Sequence, residues 1–176
     1  MAIPGARKLR TAASLFAIGV VSVGTLTLPA AAAPPTPGPV IDDVYPAGIA
    51  CSDFDLRVTG DGGKRQQHTF LDENGDLVQF LETGTGSALT FTNETTGESV
   101  SFESKGSVAR ITFNPDDTFT FEVTGLSVTI LFPTDVPAGP STTLVAGRVV
   151  FTVDQDGVFT VLQMSGEQTD ICALLS

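Results

Sequence analysis

The chain has 176 residues, with 20 acidic against 9 basic side chains and a formal net charge of −11. A surface of that sign repels nucleic-acid phosphates and anionic headgroups, so no nucleic-acid partner is expected. With one His, one Tyr, no Trp and two Cys, the stock of catalytic and metal-ligating side chains is also small.

Residues 1–33 read as a signal peptide. Arg7, Lys8 and Arg10 form a basic start, and Leu15 to Leu28 is an apolar core too short to serve comfortably as a permanent span. The run "PAAAA" then supplies the small residues that a signal peptidase needs, with cleavage expected near Ala33. Cys51 stands too far downstream for a lipoprotein. The signal removes three basic residues and no acidic one, leaving six basic against twenty acidic and a net charge of −14. No later stretch approaches 18 consecutive apolar residues, so an extracellular protein without membrane insertion is expected. Residues 34–50 open with "PPTPGPV", a Pro-rich lead-in, and 51–176 is expected to form one domain.

From Cys51 onward apolar and polar residues alternate, and turn signals recur at the spacing of an antiparallel all-β domain. Strands are predicted near 52–59, 66–72, 76–82, 88–93, 98–104, 107–113, 118–124, 126–132, 143–153, 157–165 and 168–173. In "FLDENGDLVQFL" the Asn74-Gly75 pair suits a type I′ turn. In "SVARITFNPDDTFTFEVTG", a turn at Pro115-Asp116-Asp117 sets Phe113 opposite Phe119 and Ile111 opposite Phe121. The same register puts Arg110 opposite Glu122 and Thr112 opposite Thr120, so one face is apolar and the other polar. Eleven strands are too many for one flat sheet. The expected fold is an antiparallel meander closing into a small β-barrel, with a β-sandwich as the alternative.

An exported chain with two cysteines is expected to oxidise them, giving a Cys51–Cys172 disulfide. That bridge requires Cα atoms within about 7 Å, so it would draw the first and last strands together at their ends.

Catalytic constellations are sparse. His68 in "RQQHTF" reads as a surface or pocket-edge residue; no nucleophile elbow, phosphate loop or dinucleotide motif occurs, and no catalytic residue or cofactor is assigned. Two cysteines and one histidine do not make a metal site. "DENGD", "PDDT" and "DQDG" fall where hairpins must turn and read as turn chemistry rather than calcium ligands. Asn93-Glu94-Thr95 matches a glycosylation sequon by spacing alone. Glu82, Glu103 and Glu122 sit mid-strand and would line a polar lumen beside Arg57, Arg110 or Arg148, or else face solvent.

The Ala-rich signal, the cysteine at the domain start, "FTNETTGESVSFESKGS" and the closing "SGEQTDICALLS" together resemble a group of secreted actinobacterial proteins without an assigned function. The architecture is similar to allene oxide cyclase and dirigent-like barrels, an analogy that transfers no catalytic residue. Lipocalins match less well, since their Gly-x-Trp signature needs a Trp. The leading expectation is a non-catalytic module that binds a small apolar ligand or an extracellular partner. A cyclase- or isomerase-like enzyme and a cell-envelope adhesive protein are the alternatives.

Overall fold

Wherever two-residue alternation is strongest, the chain pairs with a neighbour. The computed structural model describes residues 35–103 and 106–176, so the signal peptide read over 1–33 lies outside the described residues. The strands are β1 (Thr36–Pro37), β2 (Ile41–Tyr45), β3 (Leu56–Gly60), β4 (Lys64–Leu71), β5 (Leu77–Gly84), β6 (Leu89–Asn93), β7 (Ser99–Phe102), β8 (Ser107–Phe113), β9 (Phe119–Leu131), β10 (Ser141–Val153) and β11 (Phe159–Asp170), followed by the short helix α1 (Ile171–Leu174). All ladders between these strands are antiparallel. The protein is all-β, and no helix among the described residues is long and apolar enough to cross a membrane.

Two sheets result, one of seven strands in the order β1-β4-β5-β8-β9-β10-β11 and one of four in the order β2-β3-β6-β7. Neither sheet is closed into a barrel. The core lies instead between them. Leu56, Val58 and Phe91 on the four-stranded sheet pack with Leu144 of β10 and with Leu126, Val128 and Ile130 of β9. Outward positions on that sheet are polar, with Arg57 donating to Asp42 at 2.9 and 3.0 Å and Thr90 hydrogen-bonded to Ser101 at 2.8 Å.

The seven-stranded sheet curls along its own strands. Ser141 and Val153 are opposite ends of β10, and β11 begins opposite Val153. Yet the 132–140 loop, which precedes Ser141, reaches that start. Val136 forms a parallel bridge to Thr160, and the buried Asp135 carboxylate accepts from the amides of Phe132 at 2.6 Å and Phe159 at 3.1 Å. A row in register across five strands, Gly84, Ser107, Gly125, Gly147 and Gly166, is where the bend is possible. Gly125 has φ +112° and Gly166 φ +107°, and a side chain at Gly147 would collide with the Ser165 carbonyl.

The C-terminus closes the core. Asp170 caps α1 by accepting from the Ala173 amide at 3.1 Å, and Ile171 and Leu175 are buried. The Cys51–Cys172 disulfide has its Cα atoms 5.6 Å apart. Beside it, the Thr142 hydroxyl donates to the Ala50 carbonyl at 3.0 Å.

Several expectations change. The strands predicted at 118–124 and 126–132 are one bent strand, β9, because Gly125 kinks the ladder without ending it. Those at 157–165 and 168–173 merge into β11 and α1, which puts Cys172 on a helical turn. Two strands lie in the 34–50 lead-in, so Cys51 falls between β2 and β3, and the disulfide ties that loop to α1. The Asn74-Gly75 turn is a five-residue loop, 72–76; Gly75 has φ +88° but Asn74 is not left-handed, as a type I′ turn would require. The β8–β9 hairpin has the expected register, Phe113 opposite Phe119 and Arg110 opposite Glu122.

Candidate functional site

The apolar face of the seven-stranded sheet is built in rows. Phe80, Ile111, Phe121 and Phe151 stand side by side across β5, β8, β9 and β10, with Glu82, Ala109, Val123 and Val149 in the next row. Ring centroids lie 4.9 Å apart for Phe121 and Phe151, and 5.2 Å for both Phe113–Phe119 and Phe151–Phe159. These rings are only half-buried. The row nearest the bend continues into a cleft of about 320 Å³ between the sheets. Ile111, Phe121 and Val123 form one wall, and Ile41, Leu89 and Phe102 from the four-stranded sheet form the other. The volume is near the small end of ligand pockets.

Polar groups collect at one end of this cleft. Arg65 of β4 pairs with Glu82 of β5 at 3.3 Å, and both line it. Ser87, in the loop between β5 and β6, also lines it; its hydroxyl is buried and, among the described residues, is the one buried side-chain N or O atom without a hydrogen-bond partner. A small adjoining pocket, lined by Arg65, Glu82, Thr83, Gly84 and Gly86, connects the ion pair to the residue beside Ser87. An apolar wall with a few convergent polar groups can hold and orient a small molecule.

The residues marked by the sequence fall in different places. Of the three glutamates, only Glu82 lines the cleft. Glu122 lies on the opposite face, 2.9 Å from Arg148 and 3.8 Å from Arg110. The Arg148 hydrogen bond, with the charges of Arg148 and Arg110, holds the Glu122 carboxyl below the usual carboxylate range. Glu103 is exposed beyond the end of β7. Arg57 is bound to Asp42 on the outer face; that bond lowers the Asp42 carboxyl and raises the Arg57 guanidinium. His68 is exposed on β4 opposite Leu81, in the row of Arg110 and away from the cleft.

The acidic stretches serve turns. Asp72 accepts from the Asp76 and Asn74 amides, which lowers its carboxyl, and Asp154 accepts from Asp156 and Val158. Asp116 accepts from the hydroxyl and amide of Thr118, with the same effect. The sequon asparagine, Asn93, is buried. It donates to the Leu175 carbonyl at 2.8 Å and accepts from the amides of Thr95 and Thr96, so the folded chain offers no amide for glycosylation. Sequence reasoning did not single out Arg65, Ser87 or Asp135. "GTGSAL" reads as a plain turn, and nothing local shows that its hydroxyl will be covered by two sheets.

Compared with protein-family models, curated proteins and solved structures, the chain has no match in any of the three.

Proposed function

We propose that this is a secreted, non-catalytic binding module that holds a small apolar molecule in the cleft between its sheets. The observation that carries the reading is the cleft itself, about 320 Å³ of apolar-walled space beside an otherwise buried core. At about 30 Å³ for each water-sized group, it accommodates about ten such groups. The signal peptide read over 1–33 and the disulfide support export. The groups with displaced ionisation, Asp42, Arg57, Asp72, Asp116 and Glu122, sit on turns or outer faces, so none of them supplies the acid–base chemistry that a cyclase or isomerase would place in the cleft.

The test is to recover the native protein from culture medium and extract it for mass spectrometry, alongside titration with a neutral environment-sensitive dye. A co-extracted apolar molecule and saturable dye binding are expected, with dye binding lost in Ala109→Trp, which fills the cleft. A wild type that binds no dye and releases nothing on extraction would overturn the reading.

One observation favours an adhesive role as a second reading. Thr59, Thr90 and Ser101, with Thr92 and Ser99, form two adjacent rows of hydroxyls on the outer face of the four-stranded sheet. Retention of the protein in the cell-wall fraction, lost on Thr90→Val with Thr92→Val, would support it; full release into the medium would count against it.

A further inference from the structure

We propose that the molecule held in the cleft is elongated, with one end in the cleft and an apolar tail lying across the phenylalanine rows of the seven-stranded sheet. This rests on the binding reading above and goes further in giving the ligand's shape. Phe121 links the two places. It lines the cleft, and its ring stacks on that of Phe151, with centroids 4.9 Å apart and planes 3° from parallel. Phe159 continues the stack, 5.2 Å from Phe151, and Phe113 and Phe119 stand opposite each other in the next row of β8 and β9. The wall of the cleft therefore carries on as an apolar surface where the covering sheet ends.

The character and size of that surface select its occupant. From Phe121 outward, the positions on this face of β8, β9 and β10 are Ile111, Phe113, Phe119, Phe121, Phe151 and Val153, with no charged or hydrogen-bonding side chain among them. A polar partner would give up water here without gaining a hydrogen bond in return. A hydrocarbon tail gives up nothing. Phe80, Phe113, Phe119, Phe151 and Phe159 are half-buried, so together they leave on the order of 300 Å² of ring surface uncovered. A stable protein interface takes about 800 Å² from each partner, so the face is too small for a second copy or another protein. Two copies would also bring together chains that, outside the signal, hold six basic and twenty acidic residues each. The cleft by itself takes about ten carbon-sized groups, and the ring face extends the apolar path beyond that length.

The experiment is displacement of the neutral dye from the secreted protein by octan-1-ol, decan-1-ol, dodecan-1-ol and tetradecan-1-ol, each below its solubility limit. Wild type, Phe151→Ala and Phe119→Ala are compared. In wild type the affinity is expected to keep rising beyond decan-1-ol by about 2-fold per methylene, because a tail on the rings is covered on one side only; full burial would give about 4-fold. Either substitution should remove most of that further gain and leave octan-1-ol within about 2-fold of wild type, since octan-1-ol fits inside the cleft. Octan-1-ol binding also reports that the variant is folded, and should one variant lose it, the other carries the comparison. A plateau at decan-1-ol in wild type, or a further gain that neither substitution reduces, would overturn the elongated ligand while the cleft stands. So would a ligand-free wild type that sediments as a dimer and becomes monomeric in Phe119→Ala, because a second copy would then cover the face. If the dye does not bind and no alcohol does, the cleft reading itself fails.

Discussion

The two halves of the seven-stranded sheet have the same apolar alternation and different degrees of burial. On the clasped side, beyond the glycine row, Leu144 and Val145 are buried, and the four-stranded sheet, α1 and the disulfide cover one face. On the other side the phenylalanines of β5, β8, β9, β10 and β11 pack ring on ring, yet stay half-buried. The most aromatic strands are thus not the best covered. A row of large apolar residues excludes water only when a second layer lies over it, and here that layer ends at the cleft.

This contrast can be broken at the clasp first. Cys51→Ser with Cys172→Ser should lower stability by about 4–5 kcal/mol on the chain-entropy account, seen as a shift in the denaturant midpoint. An unchanged midpoint would mean that the core holds α1 without it. Paired truncations come next. Phe91→Ala, at a fully buried position, should cost about 3–5 kcal/mol in denaturant unfolding, and Phe151→Ala in the half-buried stack clearly less. Equal losses would show that the two halves are equally well packed.

Asn93→Ala tests the polar part of the clasp. It leaves the Leu175 carbonyl and two turn amides without their partner and should cost about 1–3 kcal/mol in the same assay. No loss would demote that contact. The smallest effect belongs to the outer face. The folded-state pKa of Glu122 is lowered, so its ion pairs add stability above its unfolded pKa, and that contribution is lost as pH falls through the folded value. Glu122→Gln should therefore lose less melting temperature than wild type between neutral and acid pH. Identical pH profiles would remove the Arg110–Glu122–Arg148 cluster from the account.

The β8–β9 hairpin was legible because its partners are a few residues apart and the parity of Phe113 and Phe119 settles their register. Glu122 shows where legibility ends. Arg110, visible from the hairpin, is its more distant partner at 3.8 Å, while Arg148, 26 residues away in sequence, is at 2.9 Å. Of the cleft, the sequence marked Glu82; its pairing with Arg65 needs the register of the β4–β5 hairpin, and the burial of Ser87 depends on how the rest of the chain packs over the β5–β6 loop.

What the sequence determined by itself was the all-β class, the turns at its Asp, Asn and Gly clusters, and a pair of cysteines suited to one bridge. These follow from side-chain period and backbone preference, which act over a few residues. Tertiary structure alone decided the division into two sheets, the glycine row at which one of them bends, and the cleft with its unpaired hydroxyl. Each depends on strands far apart in the chain meeting at a particular register, and a local pattern that many registers satisfy cannot choose among them.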